Sequence, residues 1–391
     1  MRIDIRLAER VKKVNPSSTL VITKKAKKLK AEGKDIVNFA AGEPDFDTPD
    51  FIKDAAILAI KTGFTKYTPT TGTDELKQLI CAKFKRDNNL EYSPSQVVVS
   101  NGAKHSIYNI FMVLVDRFDE VLIPTPFWVS YPEMAHLCEA NPRFIKTSPK
   151  NNFKLTSEDL EKNITPKSKI LVLNSPSNPS GCVYSINELQ EIARICVKNK
   201  IFVISDEIYE KIIYDNLAQI SIGSLNKDIY DLTITVNGLS KSYSMTGWRI
   251  GYLAGPQDIV DSISNLQDHS TSCPVSISQK AALAALGMQD EFLSVMRQEF
   301  QKRRDLIVSR LAKMKKIGYV IPQGAFYIFC DISKTKLDSM TFANRLLDEA
   351  EIAAIPGNSF GRDDYVRFSF ATSTEQIEKG MDRLEKWLEK I

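Results

Sequence analysis

Cysteine, histidine and unbalanced charge are all scarce in this 391-residue chain, and each scarcity removes a class of function. The six cysteines, Cys81, Cys138, Cys182, Cys196, Cys273 and Cys330, are scattered and form no Cys-x-x-Cys pair. Disulfide frameworks belong mainly to small exported domains, so these residues read as reduced thiols that mostly serve packing. The three histidines, His105, His136 and His269, lack metal-ligand spacing, and no metal site is expected. Fifty-two basic residues against 48 acidic ones leave a net charge of only +4. That balance argues against nucleic acid or a membrane surface as partner. No apolar run is long enough to cross a bilayer, and Met1–Arg6 lacks the apolar core of an export signal. The expected compartment is the cytoplasm. Internal repeats, low-complexity segments and long linkers are absent as well.

What is present is enough apolar material, 43% of residues, for a large core. The length exceeds that of one typical core, so two domains are expected. Residues Leu20–Glu32 read as a Lys-rich helix, and Asn38–Pro44 as a strand end running into a turn. Gln96–Ser100, Glu120–Pro124, Lys169–Asn174, Ile201–Asp206, Leu232–Val236 and Ile250–Ala254 read as buried strands. Amphipathic stretches such as His105–Val115 and Asn187–Lys198 lie between several of them. This alternation predicts an α/β domain with a mostly parallel sheet covered on both faces. After Pro274 the pattern predicts a long helical stretch to about Lys316, with Gly287 as a possible break. A separate α+β unit follows, with strands at Tyr319–Ile321, Phe326–Asp331 and Tyr365–Phe370 and helices at Thr341–Ala350 and Thr374–Lys390.

Several strand ends carry residues suited to chemistry. In Ser240-Lys241-Ser242-Tyr243-Ser244-Met245-Thr246-Gly247-Trp248-Arg249, a lysine follows a buried strand, where open α/β sheets place ligands. An amine that forms a Schiff base must be held still and partly desolvated so that it can be neutral. Ser240 and Arg249 would offer donors to a phosphate. Asp206 ends a buried strand in Ser205-Asp206-Glu207-Ile208-Tyr209. It suits either a helix N-cap or a partner for a pyridinium N–H, and Tyr209 would donate to a ring oxygen. In Asn174-Ser175-Pro176-Ser177-Asn178-Pro179-Ser180-Gly181 a rigid turn would aim the Asn178 amide. Ala103 and Lys104 open a helix after a strand, a site where backbone N–H groups approach phosphate. Trp128 suits stacking on a planar ring or plain core packing. Arg367 lies between apolar neighbours in Tyr365–Phe370 and, if it faces inward, needs an anion.

The order and combination of these strings resemble the fold-type I pyridoxal-5′-phosphate (PLP) enzymes, specifically the class I aminotransferases. The resemblance runs from Ala41-Gly42-Glu43-Pro44-Asp45-Phe46 to Val366-Arg367-Phe368-Ser369-Phe370-Ala371, and the Ser-Lys-x-x-x-Met-Thr-Gly-Trp-Arg-x-Gly string is its most specific part. It implies a large PLP-binding domain at residues 48–290, with a mostly parallel seven-stranded sheet. A smaller domain would combine residues 1–47 with the α+β unit at 291–391. By motif, Lys241 matches the Schiff-base lysine and proton shuttle, and Asp206 the partner of the pyridine nitrogen. Asn178 and Tyr209 match donors to the ring's phenolic oxygen, and Trp128 the stacking aromatic. Ala103, Lys104, Ser240 and Arg249 match the phosphate cup. Tyr67 matches a tyrosine that reaches the phosphate of the neighbouring subunit, and Gly42 and Arg367 the clamp on the substrate α-carboxylate. A homodimer with shared active sites, acting on an amino acid and a 2-oxo acid, is implied.

Within that class the strings Asn15-Pro16-Ser17, Ala41–Pro49 and Trp128-Val129-Ser130-Tyr131-Pro132 resemble the bacterial aspartate aminotransferase subgroup. The expected reaction moves an amino group from aspartate or glutamate to 2-oxoglutarate or oxaloacetate. An aromatic or prephenate aminotransferase is the alternative, as is a PLP-dependent β-lyase on the same scaffold. Asn15 stands where some dicarboxylate-using relatives carry a basic residue, and Thr271-Ser272-Cys273-Pro274 lacks the arginine that others use for a distal carboxylate. The residue that would grip such a carboxylate is therefore left open.

Overall fold

The computed structural model of the protein describes residues 7–15, 18–287 and 291–391. Its centre is a seven-stranded sheet. In spatial order the strands are Val97–Ser100, Gly251–Ala254, Thr233–Gly238, Phe202–Asp206, Ser168–Asn174, Glu120–Thr125 and Asn141–Lys146. Only Gly251–Ala254 runs against its neighbours; the remaining pairings are parallel. The inner strands Ser168–Asn174, Phe202–Asp206 and Thr233–Gly238, and the edge strand Val97–Ser100, are buried nearly throughout, which is why they read as apolar runs. Helices Ala103–Leu114 and Ile186–Asn199 lie close to the expected bounds. The second starts at a capping box, in which Ser185 and Glu188 satisfy each other's backbone N–H.

One strand of this sheet, Asn141–Lys146, had no counterpart among the expected strands. It pairs only with Glu120–Thr125, so it is an edge strand, and its side chains are mostly exposed or half-buried. An edge strand with Pro142 and Arg143 in it presents no apolar run to read.

The expected long helix after Pro274 is two helices, Ser276–Gly287 and Glu291–Leu311. The second ends at Leu311 because the chain then tightens into turns that bury Met314 and Ile317. Beyond it lies a four-stranded antiparallel sheet, in spatial order Ile355–Pro356, Tyr365–Ser369, Tyr327–Asp331 and Gly318–Tyr319. The last of these spans only Gly318–Tyr319, short of the expected Ile321. Helices Ser339–Ala350 and Thr374–Lys390 complete this unit. Helix Ser18–Ala31 and strand Val37–Asn38 belong spatially with it, since Val37 and Asn38 pair in parallel with Ile352 and Ala353. Gly380 makes room for that strand: a Cβ there would lie 2.3 Å from the Phe39 ring. Among the described residues no helix is long and apolar enough to cross a membrane.

Candidate active site

The C-terminal ends of the parallel strands and the start of Gly251–Ala254 all meet at one edge of the large sheet. Ligands of open α/β sheets bind at such an edge. Here it faces the smaller unit across a cavity of about 600 Å³. Lys241 lies on the cavity wall, three residues past the strand Thr233–Gly238. Its amine donates to the Gly42 carbonyl at 2.6 Å. Burial pulls its pKa down to about 8; Glu43 opposes this, and the positive charges of Arg367 and Arg249 reinforce it. A base with that pKa has a substantial neutral fraction in mildly alkaline water.

Asp206 ends the strand Phe202–Asp206 and is buried. Its Oδ2 accepts from the Tyr131 hydroxyl at 2.6 Å, and its Oδ1 accepts from the Ile208 N–H at 3.3 Å. No helix follows Asp206, so the N-cap considered from sequence is not formed; Oδ1 instead holds a turn through Ile208, and the residue lines the cavity. Burial raises its pKa to about 6, despite these donors and the Lys241 charge. The Asn174 amide donates to the Asp206 carbonyl at 2.9 Å and accepts from the Asn178 N–H at 2.8 Å, so two strand ends and the Asn178 turn are tied together.

Arg367 takes the inward of the two orientations its sequence left open and is 4% exposed. It donates to Asn178 Oδ1 at 3.0 Å and to the Ala40 carbonyl at 3.2 Å. Its guanidinium carbon lies 4.2 Å from the Tyr327 ring centroid and 5.2 Å from that of Phe360. Its Nε is buried with no partner among the described residues. Among the described residues no carboxylate is paired with this buried cation, so it is poised for an anion that enters the cavity.

The opposite corner is built to approach an anion closely. Helix Ala103–Leu114 points its N-terminus into the cavity beside Lys104, Ser240 and Arg249. Gly102, at φ +90°, opens the space: a Cβ there would lie 2.4 Å from Arg249 Nη2. A Cβ on Gly251 would lie 2.2 Å from the Ala103 nitrogen. Ser244 and Arg249 both hold left-handed backbone, φ 53° and 51°, the sort of strain that collects at ligand sites. Lys104 lies 4.9 Å from the Trp128 ring centroid, and burial together with Arg249 lowers its pKa.

Of the twelve residues singled out from sequence, the cavity gathers eleven: Gly42, Ala103, Lys104, Trp128, Asn178, Asp206, Tyr209, Ser240, Lys241, Arg249 and Arg367. Tyr67 is apart from them and 89% exposed. Asn15 is also elsewhere, bonded through backbone and side chain to Glu133. Sequence reasoning gave no role to Tyr131, Asn174 or Tyr327. Tyr131 and Asn174 lay inside strings already noted, and Tyr327 follows a Gly-Ala-Phe turn where it reads as a core aromatic. Thr23 and Lys27 of the N-terminal helix also line the cavity, and nothing in their local pattern marks them. Among the described residues no cluster of three His, Cys, Asp or Glu could hold a metal ion.

Comparison with known proteins gives this geometry its context. The family model described as Aminotransferase class I and II matches residues 34–384. The chain is 45% identical to the aspartate aminotransferase of Bacillus subtilis, over 99% of this chain and 100% of that protein. It is 46% identical to a probable aspartate/prephenate aminotransferase of Rickettsia conorii, over 98% and 99%. The crystal structure of the aspartate aminotransferase from Rhizobium meliloti superimposes with a TM-score of 0.95 at 38% identity, covering 98% of this chain and 99% of that one. The Thermus thermophilus aspartate aminotransferase with maleate gives a TM-score of 0.94 at 38% identity, with the same coverage. On its family match, its full-length relatives and its fold, the chain belongs to the class I and II aminotransferases.

Proposed function

We propose that the cavity holds PLP and that the protein moves amino groups from aspartate or glutamate to 2-oxoglutarate or oxaloacetate. The observation that carries this reading is one cavity holding a lysine with a pKa of about 8, a buried acid and a buried arginine without an anionic partner among the described residues. PLP, when bound, supplies an aldehyde for the lysine and a ring that spreads negative charge from the carbon next to the substrate nitrogen.

The donor set fits that group. Ala103 N–H, Lys104, Ser240 and Arg249 converge at the corner that Gly102 and Gly251 keep open, and together they suit a phosphate. Trp128 offers a ring face beside them. Asn178 has its amide oxygen on Arg367, which leaves its NH2 for a ring oxygen alongside the Tyr209 hydroxyl. Asp206 keeps a proton on a ring nitrogen, and the cation it faces would in turn favour its ionised form. Neutral Lys241 would take a proton from the substrate α-carbon and return it to the cofactor carbon on the far side of the substrate nitrogen. Gly42 and Arg367 hold the α-carboxylate, and the buried guanidinium forks onto both carboxylate oxygens.

The chain divides into a large unit at 48–290 and a small one formed by 1–47 and 291–391; the pairing of Val37–Asn38 with Ile352–Ala353 supports that division. Catalysis takes place in a cytoplasmic homodimer in which Tyr67 reaches the partner's phosphate site. In support, helix Asp50–Lys61 exposes Ile57, Leu58 and Ile60 near Tyr67 in the chain. Relatives named aspartate/prephenate aminotransferase favour a second reading with prephenate or aromatic partners. A panel of amino donors assayed with 2-oxoglutarate and oxaloacetate tests both. Turnover of aspartate or glutamate supports the first. If both are inert and an aromatic donor turns over, the second holds. Elimination without keto-acid dependence would point to a lyase and overturn both.

A further inference from the structure

We infer that Tyr327 is a positioning residue that ties the substrate-carboxylate grip of Arg367 to the hydroxyl of Tyr209, which serves the cofactor's ring oxygen. The inference rests on the PLP reading above and adds a residue to it. Tyr327 is 1% exposed, and its ring supports the Arg367 guanidinium at 4.2 Å. Its hydroxyl lies 2.9 Å from that of Tyr209, which is 4% exposed. The two rings meet edge to face at 5.8 Å. No other hydrogen bond engages the Tyr327 hydroxyl among the described residues.

Proton counting gives the pair its direction. Each phenol has one proton to donate. Once Tyr209 donates to a ring oxygen, the hydrogen bond between the phenols persists only if Tyr327 donates to Tyr209. Donation to an oxygen that is itself a donor strengthens the outer bond. The groups that face the pair are Arg367 on the neighbouring strand, Asp206 three residues before Tyr209, Glu43 across the cavity and Lys241, whose amine is 6.0 Å from the Tyr209 ring centroid. The Arg367 charge favours a polarised Tyr327 hydroxyl. A substrate carboxylate that neutralises this charge weakens that polarisation, and the change passes through Tyr209 to the ring.

The test is the pH midpoint of the visible absorbance of the PLP-loaded protein without substrate, read alongside KM. Tyr327→Phe removes the hydroxyl and keeps the ring under Arg367. The midpoint should rise by a few tenths of a pH unit, because the ring oxygen loses part of its stabilisation and holds the proton it shares with the Lys241 nitrogen more tightly. KM values should stay within about twofold. In a Tyr209→Phe background the same change should move the midpoint no further, since the relay is already cut. Tyr327→Leu removes the ring and should raise KM for amino donor and 2-oxo acceptor together, by roughly fivefold. An unchanged midpoint in Tyr327→Phe, or an equal shift with and without the Tyr209 hydroxyl, overturns the inference and leaves the PLP reading intact. A wild-type protein with no titrating visible band overturns both.

Discussion

Moving the Asp206 carboxylate out of water raises its pKa from the ordinary 3.8 to about 6, even with Tyr131 donating to it. The folded chain therefore holds this proton more tightly than the unfolded chain does. The stability cost is absent below the unfolded pKa, grows as pH rises from about 4 to about 6, and is constant above; two pKa units correspond to about 3 kcal/mol. Lys241 is penalised in the opposite window: its pKa is pulled down to about 8, so its cost is full below that pH and fades toward 10.5. Near neutrality both charges are held at a loss that a bound cofactor can relieve. Asp206→Asn should accordingly raise the thermal midpoint of cofactor-free protein at pH 8, by the equivalent of roughly 2–3 kcal/mol, and by less at pH 5. The PLP-loaded variant should lose turnover by about a hundredfold to a thousandfold, the size of other electrostatic transition-state effects. Calorimetry at the two pH values with a rate measurement checks both arms. A variant no more stable than wild type at pH 8 would refute the buried-charge account.

At the scale of elements, the strand–helix joint around Gly102 shows how the backbone sets the anion corner. Gly102 takes φ 90° and ψ 156°, a conformation that glycine alone adopts readily. Its missing Cβ also leaves the space that the Arg249 guanidinium fills. Gly102→Ala should displace that guanidinium and weaken PLP binding by about tenfold to a hundredfold, the worth of a hydrogen bond to a charged group. Gly63→Ala is the control. Gly63 also has positive φ, at +77°, but a Cβ there meets nothing within 4 Å, so PLP affinity should stay put while stability falls. Titration of cofactor-free protein with PLP separates the two, and equal losses would mean that backbone strain alone is at work. The site was legible in the sequence to the same extent as the strands that carry it. Asp206, Lys241 and Asn178 close strands or turns whose apolar runs or Pro/Gly patterns announce them. Tyr131 and Tyr327 were not legible, because a buried tyrosine declares its ring and not its hydroxyl partner. Lys27 sits on a Lys-rich helix, and only tertiary packing distinguishes it from its neighbours.

For the whole molecule, the position of Tyr67 bears on assembly. It is 89% exposed and outside its own chain's cavity, although the resemblance assigns it to a phosphate site. Ile57 and Leu58 on the preceding helix, and Val275, are 47%, 62% and 49% exposed, a large apolar outlay for a solvent face. A two-fold dimer would cover such a surface and could place each Tyr67 against the other chain's cavity. This arrangement makes a prediction that needs no structure of the dimer. Lys241→Ala protein should be inactive, and Tyr67→Ser protein should be weakened at limiting PLP. When the two are mixed in equal amounts, unfolded and refolded together, half of the dimers are hybrids. In each hybrid one cavity has both lesions and the other has none, because its Lys241 is intact and the Tyr67 it receives comes from the Lys241→Ala partner. About a quarter of all cavities then regain the wild-type set, and activity at limiting PLP should rise above the mean of the two parents, the value expected of mixing without exchange. If Tyr67 served its own chain, every cavity with an intact Lys241 would keep the Tyr67 lesion, and mixing would restore nothing.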